Sequence, residues 1–254
     1  MKSLKVSFLK ALLLCSLMFF FGNSCLADTL YGGVQHSDTV APVPDGLMPG
    51  NAVVDQKLTP NNNWILIPDW LAGTWQFKTE TVTSLTALVK RKYPPTPFNI
   101  HNEFTKKFGY QKDKNGGIWD YLKVPFSYTT TLDEGLKAYF VDSELEVLST
   151  TSDSTIRRLF GMDSVYSPKD QVISLTQQKE CLNRLSPMGD NLIRIDSSTK
   201  IFDMHGKPEV TKESNVIGSL IKPFEQVDTD GTQNLKQMFI EYLQTHGKAD
   251  LVPN

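Results

Sequence analysis

Cysteine is scarce: Cys15, Cys25 and Cys181 are the only three in 254 residues. Two of them stand within the first 25 residues. Cys181 therefore lacks an intramolecular partner, and no disulfide framework is expected. It reads as a small buried apolar residue rather than a reactive thiol. Histidine pairing is missing too. His36, His101, His205 and His246 never fall at metal-pair spacing, and no H-E-x-x-H occurs. Nor is there a G-x-S-x-G, a glycine-rich phosphate loop or a Cys pair. Asp228-Thr229-Asp230-Gly231-Thr232 resembles half a calcium loop, but Phe239 stands where the twelfth-position Glu would be. These absences nominate no catalytic residue, no metal ligand and no cofactor. Basic excess is also lacking: 26 Lys and Arg face 28 Asp and Glu, a net charge of −2, which argues against nucleic acid as a partner. No repeat of fixed period runs through the chain.

Only one long apolar run occurs, and it lies at the start. Lys2, Lys5 and Lys10 precede Ala11–Phe21, and the small-residue stretch Gly22–Ala27 follows. This is the pattern of a secretory signal peptide over residues 1–27, and the run is too short for a transmembrane helix of roughly 20 residues. Export to the periplasm or the cell exterior is the expectation. The alternative makes Cys25 a lipidated first residue anchoring the protein to a membrane, with Ser24 fitting a lipobox and Gly22 and Asn23 departing from it. Cleavage after Ala27 removes three lysines and no acid. The remainder then carries 23 basic and 28 acidic residues, a net −5.

Residues 28–63 are rich in Gly, Pro, Asp and Asn and poor in periodicity, the composition of an extended, flexible N-terminal arm; a loop over a ligand mouth is the functional alternative. Residues 64–254 read as one β-rich domain. Trp75, Phe77, Thr79, Thr81 and Thr83 alternate with Gln76, Lys78, Glu80 and Val82, which predicts a strand entered through Gly73. Phe98, Ile100, Asn102 and Phe104 alternate likewise. Further strands are expected at 118–124, 126–132, 136–141, 145–151, 154–160, 191–196 and 200–204, with 171–185 leaning to strand and 210–226 continuing the sheet. Trp119 and Tyr121 share one face of their strand; Ile118 and Leu122 share the other. Asp142, Glu144 and Glu146 read as a solvated face. From Gln233 to His246, Leu235, Met238, Phe239, Tyr242 and Leu243 recur at helical spacing. Asp228–Thr232 is expected to cap that helix and Gly247 to end it. Short strands at intervals of about 8–12 residues suggest an antiparallel barrel or sandwich.

Leu71-Ala72-Gly73-Thr74-Trp75 resembles the first strand of lipocalin-like (calycin) β-barrels, which begin with a turn and a Gly-x-Trp. Gly73 and Trp75 match that motif, and a C-terminal helix is a further likeness. The resemblance implies an antiparallel barrel whose Trp75 closes one end, with Arg194 as a candidate basic partner, and with the helix laid on the barrel through Leu235, Met238, Phe239 and Tyr242. It also implies a non-enzymatic protein holding a small apolar ligand. Candidate ligand-binding residues are Trp75, Phe77, Phe104, Trp119 (or Ile118, depending on the inward face) and Phe140. An envelope interaction protein with a filled core, and an enzyme on a barrel scaffold, are the competing readings.

Overall fold

The computed structural model describes residues 34–54, 58–90, 92–132, 135–189 and 191–253, and only the backbone of Asn102. The signal-peptide segment, with Cys15 and Cys25, lies outside these residues. Residues up to His36 form a separate unit, and the fold is that of the unit beginning at Ser37.

Among the described residues, thirteen strands and one α-helix follow in chain order. They are β1 (Trp64–Ile67), β2 (Gly73–Ala87), β3 (Phe98–Phe108), β4 (Gln111–Lys112), β5 (Ile118–Tyr121), β6 (Phe126–Thr131), β7 (Lys137–Thr150) and β8 (Thr155–Tyr166). Next come β9 (Ile173–Gly189), β10 (Leu192–Phe202), β11 (Pro208–Pro223), β12 (Thr229–Asp230), β13 (Gln233–Asn234) and α1 (Leu235–Thr245). The protein is mainly β. Eight strands form one antiparallel sheet in the order β3-β2-β11-β10-β9-β8-β7-β6, curved into an open half-barrel. Its edges, β3 and β6, are not paired with each other among the described residues. Stretches expected as separate strands merge. Residues 136–141 and 145–151 belong to β7, and residues 191–196 and 200–204 belong to β10.

The merging of β7 comes with a bulge. Asp142 pairs with Gly161 and Glu144 with Phe160, so Ser143 is the extra residue. A bulge reverses which parity faces inward. Asp142 and Leu145 therefore both face the hollow of the sheet, while Glu144 and Glu146 point out; the shared acidic face expected for 142, 144 and 146 is corrected accordingly. A second bulge sits in β2, where Lys78 and Thr79 together oppose Ile217 between the pairs Phe77–Gly218 and Glu80–Val216. Trp75 and Phe77 are inward, but beyond the bulge Glu80 and Val82 take over, and Thr79 and Thr81 lie outside with Gln76. The strict odd-numbered alternation through Thr83 is thus broken in mid-strand. The Phe77 ring needs room here. A Cβ on Gly218 would lie 2.4 Å from it, and only glycine permits that approach.

A smaller sheet, ordered β1-β5-β4, covers one end of the hollow. Ile67 and Ile118 join Leu71, Trp75, Phe77, Phe108, Leu185 and Ile193 in a core between the two sheets. On the other face of the small sheet, Trp64, Trp119 and Tyr121 pack against Leu235, Phe239, Tyr242 and Leu243 of α1. The helix stripe read from the sequence is therefore buried, but against the small sheet rather than against the half-barrel itself. Its N-cap is Asn234, whose side chain accepts from the Gln237 amide at 3.0 Å. The Asp228–Thr232 stretch supplies instead the β12–β13 hairpin. Gly247 follows the C-cap His246 at φ 69°, as a helix-ending residue should.

The segment before β1 runs extended along the outer face. Val43 and Leu47 are buried with Tyr139, Val141, Tyr166 and Ile173. Backbone bonds from Val43 to Met204, Gly50 to Ile173 and Val53 to Gln171 hold it there. Its regular structure among the described residues is a single 3-10 turn at Asp45–Leu47 and an isolated bridge from Ala52 to Val172, and its few apolar side chains find a site.

Candidate functional site

The hollow between the half-barrel and the Asp120–Val124 segment is a cavity of about 540 Å³. Every strand of the large sheet contributes. Phe104 and Phe108 come from β3, Val216 from β11, Ile195 from β10, Leu185 from β9, Leu159 from β8, Leu145 from β7 and Phe126 from β6. Leu122 and Val124 close it from the side of the small sheet. Its size falls within the range of about 300–1,000 Å³ typical of small-molecule sites.

Polar groups are set into this apolar wall, and most are paired. Arg157 on β8 and Asp120 on β5 form an ion pair between the two sheets, with both guanidinium Nη atoms 3.3 Å from Asp120 Oδ2 and both side chains only 5% exposed. The other carboxylate oxygen of Asp120 accepts from the Gly109 amide at 2.9 Å. Glu80 accepts from Lys212 at 2.8 Å, which keeps its carboxyl below the usual range despite burial. Ser197 donates to Asn183 at 2.6 Å. Asp142 is poorly matched by contrast. Lys179 Nζ is 3.9 Å away and is committed to Asp163 at 2.8 Å, and Asp142 Oδ1 accepts no hydrogen bond. Burial raises its pKa against the pull of Lys179 and Lys106. Lys106 has no carboxylate within ion-pair distance among the described residues. Its Nζ lies 5.4 Å from the centre of the Phe108 ring, over which Arg157 also sits at 5.2 Å. Lys106 is exposed to the cavity, yet the crowding of protein around it lowers its pKa, and the like charge of Arg157 lowers it further.

The sequence-based candidates distribute unevenly around this cavity. Phe104 lines it. Phe77 stacks beneath Phe104 with ring centres 4.9 Å apart, in the buried core. Trp75 closes the end as part of that core, its indole N–H donating to the Leu71 carbonyl at 2.9 Å. Phe140 lies further along β7, outside the lining, stacked on Tyr128 at 4.8 Å with Lys179 over its ring. Trp119 does not reach the cavity. It faces α1, against Phe239 and Tyr242, and donates to Asp113 at 2.8 Å. Its strand presents Ile118 and Asp120 to the half-barrel instead. Arg194 is not the partner of Trp75. It lies on the opposite face of β10 and pairs with Asp196 at 2.7 Å. Cys181 is a free thiol, partly buried, whose pKa is raised by burial.

Lys106, Asp120, Asp142 and Arg157 escaped the sequence reading. A signal was present for two of them. Lys106 continues the even-numbered apolar series Phe98, Ile100, Phe104 and Phe108, and Asp120 shares parity with Ile118 and Leu122. A charge on an otherwise apolar strand face is the mark of an inward polar group.

Among the described residues no helix is long and apolar enough to cross a membrane, and no group of three or more His, Cys, Asp or Glu could hold a metal ion. No protein-family model, curated protein or solved structure matches this chain.

Proposed function

We propose that this is an exported carrier that binds a small, largely apolar ligand in the hollow of its half-barrel. The observation that carries the reading is the cavity of about 540 Å³ walled by apolar side chains from seven of the eight strands, with β2 contributing Glu80. A filled core would leave no such space, so the cavity favours a carrier over an interaction protein built around a solid interior. Apolar surface entering the cavity leaves water, at about 25 cal/mol for each Å² removed. Kinship with calycin barrels belongs to the same proposal. It is supported by Gly73-x-Trp75 at the start of β2 and by the place of Trp75 at the closed end. Gly73 has its own local reason: at φ 145° a Cβ there would meet the Lys222 carbonyl at 2.8 Å. Closure of the barrel through a meeting of β3 and β6 would complete the likeness, and export rests on the first 27 residues.

The test is titration of the purified protein with the neutral fluorophore N-phenyl-1-naphthylamine. Saturable binding at one site per chain is expected. Leu159→Trp, which fills the middle of the cavity, should abolish it while leaving the urea midpoint close to that of the parent. Absence of saturable binding, or unchanged binding in the filled variant, would overturn the proposal.

A further inference from the structure

Lys106 is the one cavity cation whose charge the surrounding protein leaves without a contact partner among the described residues. The neighbouring charges account for why. Asp120 is already engaged by Arg157 through one oxygen and by the Gly109 amide through the other. Asp142 faces Lys179, and its burial disfavours the ionised form. Glu80 is held by Lys212. Two cations, Lys106 and Arg157, thus share the Phe108 ring, and one committed carboxylate serves them. The Lys106 side chain is exposed within the hollow, so water now serves its ammonium, and an acidic head that enters can replace that water with a charge-assisted hydrogen bond. Here the ammonium is held at the wall of an apolar hollow, beside Phe104 and Phe108, with its own side chain open to the cavity.

We propose that the carrier selects anionic amphiphiles, ligands with an apolar chain and a single acidic head, and that Lys106 binds the head while Leu145, Leu159, Leu185, Ile195 and Val216 take the chain. This rests on the carrier reading and adds the ligand class to it. The charge on the ligand would supply what the site lacks: a counter-ion within hydrogen-bond reach of Lys106 Nζ and a neighbour that relieves its repulsion from Arg157. A neutral analogue of the same chain gains the apolar contacts only. A cationic one meets Lys106 and Arg157 as like charges.

The experiment is displacement of N-phenyl-1-naphthylamine at pH 8 by dodecanoate, methyl dodecanoate and dodecyltrimethylammonium. Dodecanoate should bind about tenfold or more tightly than its methyl ester, the effect of one charge-assisted hydrogen bond, and the ammonium compound should bind most weakly. Lys106→Met should erase the preference for the acid and Lys106→Arg should keep most of it, and a urea midpoint close to that of the parent shows that both are folded. Equal affinity of acid and ester, or an undiminished preference in Lys106→Met, overturns the charge inference while the carrier reading stands. If the fluorophore itself does not bind, both fall together.

Discussion

Replacing Arg157 tests how the two sheets are joined. Arg157 and Asp120 are each 5% exposed at the side chain, so water cannot take over from either when the other is lost. Arg157→Leu leaves Asp120 with the Gly109 amide alone, and an uncompensated buried carboxylate of this kind costs about 3–5 kcal/mol. Asp120→Asn should cost a similar amount, because it strands the guanidinium while its own Oδ1 still accepts from Gly109. The double variant Asp120→Asn/Arg157→Leu removes both charges and keeps that amide bond. It should lie within about 0–2 kcal/mol of the parent, since a buried ion pair replaced by neutral groups is often nearly neutral in stability. The double variant is therefore expected to be more stable than either single one. Urea unfolding followed by tryptophan fluorescence, with the slope checked for constancy, reads all four proteins. A double variant at or below the sum of the singles would show that the pair is not the connection between the sheets.

Two further outcomes follow from the packing and the charges. Phe239 is fully buried between Trp64 and Trp119, with ring centres at 5.0 and 5.6 Å, so Phe239→Ala should cost about 3–5 kcal/mol in the same melts, whereas the exposed Glu241→Ala should stay within about 0.5 kcal/mol. Equal losses would mean that α1 is not docked through this face. Asp142 has its pKa raised by burial, so its ionisation works against folding, and this penalty grows as pH rises from the unfolded value through the folded one. Asp142→Asn should accordingly improve relative to the parent on going from pH 4 to pH 7; a change in the opposite direction would assign Asp142 a net stabilising charge.

The sequence alone determined the local elements. Alternation from Trp75 and from Phe98, the stripe from Leu235 to Leu243 and the glycine after His246 each depend on neighbours within one segment, and each strand or helix forms where its period predicts. Tertiary structure decided which way the faces look. The bulges at Lys78-Thr79 and at Ser143 arise from pairing with β11 and β8, and period 2 reads the same on either side of them, so no single strand announces the reversal. That is why Glu80 and Asp142 came into the hollow while Thr79 and Glu144 turned out. Whether Trp119 or Ile118 faced inward was equally undecidable from β5, because both faces of that strand are buried, one under α1 and the other against the half-barrel. The cavity itself is a property of assembly. Lys106, Asp120 and Arg157 lie on three different strands, and only the curvature of one sheet and the placement of the other bring the two cations over a single aromatic ring and the carboxylate to the guanidinium.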